Sequence, residues 1–469
     1  MAEPKNETSA LHAERRAFRF GRIRLAFFTS ATSKGLGLLV QLLAVPFAIK
    51  ALGAERFGVY TMLVSALVWI DLGRFGIGPG LTRGLVVAWN QDDRKTEQAL
   101  FSSAFFLLTT TSIAIGGLFA MTFWLGALPL DVLFGTAAVQ YRSEIEVGGF
   151  VVVLFFMAQI VFSAGEAARS AYQEDYVNNT MNGFGNLLAV GLVFSVATFW
   201  PTIQGFAIAI FGSLALSKGL NFGLLLGKSR SYLWPRWQRV NRHTLKPLLN
   251  SSLAFWVIQL ATLMIQNFSL VQLGALTDPQ AMVPFAVLFR FLQLLSTVVL
   301  MITMPLWPAI TDAVVRKDHE WIRHSYWRLL RVVMIYSVGV AIAVGWAGQH
   351  LISLWVGAIH LEGELCIVLG IYFIIWMWNH SHTVVLFGLG RLWPMAFTLL
   401  GEGVAVLVLG WLLTPRLGIL GMALSLCIAG LATSAGILPM LVRSRIEGTN
   451  EELQILLSSN DVTEREKHV

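Results

Sequence analysis

Four basic side chains stand inside otherwise apolar stretches of this 469-residue sequence: Lys34, Arg74, Lys218 and Arg290. A charge at membrane depth is costly, and it usually faces a protein interior or a water-filled cavity. Cationic side chains bind phosphate through charge-assisted hydrogen bonds, and arginine can form two in parallel. The four residues therefore predict a cationic cavity, although the long side chains of Lys34 and Arg74 could instead extend to the membrane surface.

Acidic and backbone features accompany these cations. Asp71 lies three residues before Arg74, a spacing that favours an ion pair on one helix face. Arg83 follows a glycine–proline break at 76–80 and is predicted at the mouth of the cavity, since broken backbone at membrane depth lines a cavity or packs in protein. Asp71 and Glu402 are also the candidate carboxylates for binding a proton or sodium ion, although Glu402, which is alone in its apolar run, could instead simply pack between helices.

The composition indicates a membrane protein. Hydrophobic residues make up 56% of the chain and charged residues 13%, against about 45–50% and about 25% in soluble domains. The two cysteines, Cys366 and Cys427, lie in apolar runs and indicate neither a disulfide framework nor a thiolate metal site. No Gly-rich phosphate loop is present. We therefore expect no metal, no cofactor and no catalytic site in this chain.

A spanning helix needs about 20 mostly apolar residues. The sequence predicts twelve such helices, at 27–49, 57–78, 99–124, 147–168, 183–200, 203–227, 248–273, 283–308, 328–356, 364–386, 394–413 and 417–441. With both termini placed inside, the outside regions contain only Lys50, Arg56, Arg142 and Arg416, and the other basic residues outside the spans lie inside. This positive-inside pattern predicts an N-in, C-in topology and explains the net charge of +7 without nucleic acid.

The chain also has the pattern of an internal duplication. Both 41–53 and 259–274 are apolar segments that begin with glutamine and end in Leu-Gly, and both lead to a second helix with a charged inside loop. We expect a basic N-terminus (1–26), a six-helix bundle (27–227), a cytoplasmic linker (228–247), a second six-helix bundle (248–441) and a cytoplasmic tail (442–469). Two such halves are typical of alternating-access transporters, with the binding site near the midplane.

Several local motifs resemble the polysaccharide transporters of the O-antigen flippase type, in the multidrug/oligosaccharidyl-lipid/polysaccharide (MOP) exporter superfamily. The matching stretches run through the whole chain in order: 33–39, 46–60 with its Leu-Gly-x-x-x-Phe-Gly-x-Tyr turn, 71–73 with Arg83, 305–310 and 388–391. The resemblance implies a MATE-like all-α fold of two six-helix bundles in the bacterial inner membrane. It also implies flipping of polyprenyl-pyrophosphate-linked oligosaccharides for surface or exopolysaccharide synthesis, with membrane lipids, a polymerase and export machinery as partners.

For such a substrate the cavity would bind phosphate through Arg290, Arg74, Lys34, Arg83 and Lys218. Basic residues on the first, second and eighth helices line the cavity in related lipid flippases. Polar residues on the seventh and tenth helices would contact sugar or else hydrogen-bond between helices: Gln259, Gln266, Asn379 and His380. Gln259 and Gln266 are seven residues apart, which predicts a shared helix face.

Two other functions compete with the flippase hypothesis. An exporter of cationic small molecules would need an acidic cavity, and the four intramembrane cations outnumber Asp71 and Glu402. A glycan polymerase or ligase would be expected to have a large outside loop with paired basic residues. The longest predicted outside loop, 125–146, contains only Arg142.

Overall fold

The structure is a computed structural model that describes residues 21–37, 40, 47–48, 50–53, 56–57, 59–60, 72–124, 141–277, 282–356 and 361–445. These residues are helical or lie in turns, and none of them forms a β-strand. The chain divides into two compact units between Trp256 and Val257, an N-terminal unit and a C-terminal unit. The predicted all-α fold is confirmed.

Twelve helices are used here as reference elements. They are α1 (21–37), α2 (Ile77–Asn90), α3 (Arg94–Trp124), α4 (Arg142–Ala171), α5 (Asp175–Phe199), α6 (Ile203–Ser229), α7 (Arg242–Leu276), α8 (Val283–Val315), α9 (His319–Val356), α10 (Gly363–Leu389), α11 (Leu392–Leu417) and α12 (Ile419–Arg445). Within the described residues, α3 through α12 are each long and apolar enough to cross a membrane. The chain is a multi-pass membrane protein.

The two units repeat one packing plan. In the N-terminal unit α2 packs on α3 and α4, α4 packs on α3 and α6, and α5 packs on α6. In the C-terminal unit α8 packs on α9 and α10, α10 packs on α9 and α12, and α11 packs on α12. Each contact recurs with a shift of six helices, which agrees with the internal duplication seen in the sequence.

Two tight loops show the same repeat in detail. Asp92 of the α2–α3 loop adopts the left-handed region at φ 52°, and Lys317 of the α8–α9 loop does so at φ 58°. The next residue in each loop is an aspartate, and its backbone N–H bonds back to the preceding helix: Asp93 to the Ala88 carbonyl at 3.0 Å and Asp318 to the Ala313 carbonyl at 2.9 Å. These loops are the two charged segments matched in the sequence.

The glycine-rich break lies slightly earlier than predicted. The backbone turns at Phe75 and Gly76, both with positive φ, and α2 then runs through Pro79. Proline is tolerated in a first helical turn, where its missing N–H has no helical partner. A Cβ on Gly76 or Gly80 would collide with Ser252 of α7, so these glycines permit a close helix contact within the N-terminal unit. Residues 61–71, which include Asp71, lie outside the described residues.

Candidate functional site

A cavity of about 540 Å³ lies in the C-terminal unit, bounded by α7, α8, α10 and α11. A π-helical turn at Met264–Phe268 forms part of its α7 wall. Such turns add a residue to a helix and often mark functional sites. The polar side chains around the cavity are Thr262, Gln266, Asn267, Arg290, Gln293, Ser296, Thr297, Tyr372, Asn379, His380, Thr383 and Glu402.

Arg290 brings the positive charge to this cavity. Its side chain is exposed to the hollow, and its Nη1 donates to Gln293 Oε1 at 3.4 Å. Among the described residues, Arg290 forms no ion pair within 4.0 Å. A guanidinium in this setting retains donors for an anionic ligand, and it can bind phosphate in a bidentate manner.

Aromatic rings form one wall of the same cavity. Tyr372 and Trp376 both line the hollow, with ring centroids 6.1 Å apart and planes 15° apart. Phe289 lies nearly parallel to both, at 6.1 Å from Tyr372 and 6.5 Å from Trp376. Offset parallel packing of this kind holds rings in place, so the wall offers a fixed flat apolar surface beside the hydrogen-bonding groups.

Glu402 and Asn379 form a buried polar pair at the cavity. Asn379 Nδ2 lies 3.4 Å from Glu402 Oε2, and both residues are almost fully buried. Gly430 of α12 closes over them, because a Cβ there would sit 3.4 Å from Glu402 Oε1 and 2.8 Å from Ile375 Cγ2. The carboxyl group therefore has a compact enclosed environment that adjoins the hollow.

The two histidines of α10 have separate partners. His380 lines the cavity, and its Nε2 lies 3.1 Å from Thr303 Oγ1 of α8. His382 is fully buried, with Nδ1 2.7 Å from the Trp378 carbonyl and Nε2 3.1 Å from the Tyr326 hydroxyl. A carbonyl only accepts, so Nδ1 carries hydrogen there. Among the described residues no cluster of histidine, cysteine and acidic groups could hold a metal ion.

Of the two glutamines predicted on α7, Gln266 lines the cavity, whereas Gln259 is not among its lining residues. Gln266 lies within the π turn at Met264–Phe268, and such a turn adds a residue to a helix. The predicted shared face of Gln259 and Gln266 stays a prediction.

The other predicted cations lie in the N-terminal unit. Lys218 of α6 pairs with Glu166 of α4 at 2.9 Å, and Arg74 lies over the Phe156 ring, with Cζ 5.5 Å from its centroid. Lys34 is half-buried in α1. These contacts place none of the three in the Arg290 cavity, so their role as phosphate ligands stays a prediction.

Arg83 and Asp71 complete the set. Arg83 is half-buried within α2 and not in a loop beyond a helix end, because α2 continues to Asn90. Asp71 lies outside the described residues, as does any pairing of it with Arg74.

Glu166 and Arg169 lie three residues apart on α4 but have different partners. Arg169 instead donates to Asn221 Oδ1 at 2.5 Å and pairs with Glu174 at 2.8 Å, while Glu166 pairs with Lys218. Spacing on one helix could not reveal these partners, because α6 supplies both Asn221 and Lys218.

Several cavity residues were missed in the sequence, chiefly Gln293, Tyr372 and Trp376. Helical spacing carries a usable signal for them. Gln293 follows Arg290 by three residues, and Trp376 precedes His380 by four, so each shares a helix face with a predicted site residue. Extending the polar face from Arg290 and His380 along their helices would have identified them.

Comparisons with known proteins agree with this architecture. No protein-family model matches the chain. Two bacterial proteins, each named "Putative O-antigen transporter", are similar along most of it: one from Salmonella typhi, 20% identical over 87% of this chain and 89% of its own length, and one from Salmonella typhimurium, 22% identical over 83% and 89%.

Solved structures of MATE transporters share the fold. A MATE mutant has a TM-score of 0.76 at 14% identity, covering 92% of this chain and 96% of its own. An outward-facing multidrug resistance MATE transporter of the MOP superfamily has a TM-score of 0.74 at 13% identity, covering 91% and 96%. The chain is thus a multi-pass membrane protein with the fold of the MATE transporters, and its curated relatives are proteins named for O-antigen transport.

Proposed function

We propose that this protein flips polyprenyl-pyrophosphate-linked oligosaccharides across the bacterial inner membrane. The observation that carries the proposal is the cavity of the C-terminal unit, where Arg290 lies among neutral hydrogen-bonding groups beside an aromatic wall. The similarity to proteins named for O-antigen transport supports the same substrate class. The proposal keeps the twelve-span, N-in and C-in topology and the two six-helix bundles predicted from the sequence.

Each part of the cavity suits one part of that substrate. The Arg290 guanidinium would bind a phosphate oxygen, since charged hydrogen bonds are stronger than neutral ones. The flat face of Trp376 would stack against a sugar ring, and Gln266, Gln293 and Asn379 would hydrogen-bond its hydroxyl or acetamido groups. The volume of about 540 Å³ lies within the range of about 300–1,000 Å³ for ligand pockets. The lipid tail would remain in the bilayer.

Glu402 is the second cavity residue to which we assign a role in transport. It is the acidic group at the cavity, and Asn379 joins it to the proposed sugar-binding residues. We propose that binding of a cation or proton at Glu402 couples transport to an ion gradient. A Glu402→Gln variant keeps the shape of the side chain but not its charge. We expect its transport to become independent of the ion gradient, and an unchanged gradient dependence would contradict this role.

The rival functions are less well supported. The sequence contains more intramembrane cations than acids, which counts against a drug exporter. Within the described cavity that excess disappears, because the lining includes one cation, Arg290, and one acid, Glu402. The neutral hydrogen-bonding lining and the named relatives favour a glycan instead. The named relatives are transporters, and we propose no catalytic step for this chain. A polymerase and export machinery would then use the flipped product.

The direct test replaces Arg290 with alanine in a strain that depends on this protein. A charged hydrogen bond contributes about 1.5–3 kcal/mol, so headgroup binding should weaken about tenfold or more. Lipid-linked oligosaccharide should accumulate on the cytoplasmic side, as measured by its protection from a glycosidase added to spheroplasts. Arg290→Lys should retain part of the activity.

The matched control is Arg323→Ala, which removes an exposed arginine of α9 that does not line the cavity. It should leave export unchanged. Normal export by the Arg290→Ala protein at equal expression would contradict the assigned site.

A further inference from the structure

The segment that leads from α6 to α7 has an unusual charge pattern. From residue 228 to residue 250 the chain carries basic residues and no aspartate or glutamate: Lys228, Arg230, Arg236, Arg239, Arg242 and Lys246. All of this segment lies within the described residues, and its sequence was expected to form a linker. Its side chains include an inner set that is buried or half-buried and an outer set that is exposed.

The inner set fixes the segment to the N-terminal unit. Short 3₁₀ turns form at Ser231–Leu233 and Trp237–Arg239, and the Leu233 side chain is fully buried. The backbone N–H of Arg236 donates to Ser102 Oγ of α3 at 3.2 Å, and Arg239 Nη1 donates to the Tyr232 carbonyl at 3.3 Å. The segment is therefore a packed element of the unit.

Acidic groups beneath the segment are already engaged by the inner set. The Arg230 guanidinium lies 3.5 Å from the Tyr172 ring centroid and 3.7 Å from Glu174 Oε1. Tyr232 donates its hydroxyl hydrogen to Glu97 Oε2 at 2.7 Å. Burial raises the pKa of Tyr232, which keeps the phenol protonated as a donor. Glu97 and Glu174 are thus both engaged by residues of the inner set.

The outer set consists of Trp234, Arg236, Trp237, Arg242 and Lys246, which we name the basic–aromatic platform. Trp234 is 59% exposed and Trp237 is 69% exposed, and the three basic side chains are also exposed. Exposed tryptophan pairs are unusual on a water-facing surface, where large apolar patches mark interaction sites.

The platform lies beside a membrane-spanning helix. The Trp237 ring meets Phe106 of α3 edge-on, with centroids 5.0 Å apart, and Phe106 is within the apolar span Arg94–Thr122. Tryptophan rings concentrate at the level of the lipid headgroups, and lysine and arginine extend from there to phosphate. This position favours a lipid partner over a soluble protein or a nucleic acid.

We propose that the basic–aromatic platform is a binding site for anionic phospholipid headgroups. Trp234 and Trp237 insert at the headgroup level, and Arg236, Arg242 and Lys246 contact the phosphates. Contacts with α3 hold the backbone at Arg236 and the ring of Trp237 in place, so less conformational freedom is lost there when a lipid binds. The site shares no residue with the Arg290 cavity and does not depend on the proposed transport function.

The test measures lipid retention by native mass spectrometry on the purified full-length protein. Phosphatidylglycerol and phosphatidylcholine are titrated separately at low salt. A basic residue near an anionic membrane contributes about 1 kcal/mol, or about fivefold in affinity. The variant R236Q/R242Q/K246Q should therefore bind phosphatidylglycerol on the order of 100-fold more weakly, with phosphatidylcholine binding unchanged.

Matched variants separate charge from location. R323Q/R331Q/R391Q removes three exposed basic side chains of the C-terminal unit and should keep the phosphatidylglycerol affinity within a few-fold. W234A/W237A should weaken both lipids. All of these side chains are exposed, and an unchanged melting temperature will show that each variant is folded.

Three results would overturn the proposal. The first is unchanged phosphatidylglycerol binding by R236Q/R242Q/K246Q, and the second is an equal loss in the control triple variant. The third is selective loss of an added polyprenyl diphosphate with phosphatidylglycerol retained, which would assign the platform to the transported lipid. Failure of the Arg290 transport assay would leave this lipid test unaffected.

Discussion

The two units share one helix-packing plan but use their polar side chains differently. In the N-terminal unit, charged groups pair with each other: Arg169 of α4 with Glu174 of the following loop, and Lys218 of α6 with Glu166 of α4. In the C-terminal unit, Arg290 faces a hollow and has no ion pair among the described residues. The second unit also contains an ion pair, Arg316 with Asp312 near the end of α8. The contrast therefore lies between these paired cations and Arg290, which stays available to a ligand.

The comparison has a physical basis in the cost of burial. A buried charge without a partner is strongly unfavourable, so it must be paired or must border water or a ligand. Arg169 is nearly inaccessible, at 4% exposure, and has two polar partners. Arg290 is exposed to a cavity where water or an anionic headgroup can serve the same purpose. We therefore expect substitution of Arg169 to reduce the stability of the protein, and substitution of Arg290 to reduce its transport activity.

The largest effect is expected at Arg169. An Arg169→Met variant leaves Glu174 and Asn221 without their main partner in a buried setting, and breaking a buried pair costs about 3–5 kcal/mol. The purified variant should melt at a much lower temperature or aggregate during size-exclusion chromatography. Arg290→Met is the matched control and should melt within about 2 °C of the natural protein, since cavity-facing substitutions usually change stability by about 0.5 kcal/mol or less. Equal destabilisation by the two variants would contradict the distinction between a structural Arg169 and a ligand-facing Arg290.

A smaller effect is expected for the Lys218–Glu166 pair. Their side chains are 14% and 20% exposed, so the interaction lies between a surface pair and a fully buried one. We expect Lys218→Met to lose about 1–3 kcal/mol. The double variant Lys218→Met/Glu166→Gln should recover part of that loss, because the unpaired carboxylate is removed too.

A double-mutant cycle of thermal stabilities measures this coupling. A coupling of about 0.5–3 kcal/mol would support a structural role for Lys218. Zero coupling together with lost transport would favour the earlier prediction that Lys218 contacts the substrate.

The reach of sequence reasoning differs between these units for the same reason. Apolar length located the helices, and single charges in apolar runs led to Arg290 and Glu402, which the fold places at one cavity. The ion pair between Lys218 and Glu166 could not be predicted from the sequence, because the two residues come together only when α6 packs on α4. A π turn also leaves no simple periodic signal, so the irregular turn of α7 at Met264–Phe268 could not be predicted.

The linker illustrates the same limit at a larger scale. Its polar, basic composition predicted a connecting loop at 228–247. Only the three-dimensional arrangement shows that Leu233 is buried and that Ser102 of α3 holds the backbone at Arg236. Amino-acid composition indicates whether a segment can face water, but it does not show which neighbouring helix the segment packs against.

The smallest expected effect tests a feature that the units share, the aspartate that begins the second helix of each matched loop. Asp93 Oδ1 accepts from the Thr96 N–H at 3.0 Å and Oδ2 accepts from its hydroxyl at 2.6 Å. The hydrogen bonds from Thr96 lower the pKa of Asp93 below its usual value. Because the folded pKa is the lower one, the stabilisation is complete above the unfolded pKa of about 3.9. It is lost as the pH falls through the folded pKa.

Melting temperatures from pH 7 to pH 3 should therefore differ between the natural protein and Asp93→Ala at neutral pH and converge in acid. Asp92→Asn is the matched control, because asparagine tolerates the left-handed backbone at that position. The melting temperature of this control should change with pH in the same way as that of the natural protein. If the melting temperature of Asp93→Ala lies below that of the natural protein by the same amount at every pH, the charge of Asp93 does not stabilise the helix. The two units would then share the geometry of this loop without an electrostatic contribution from the aspartate.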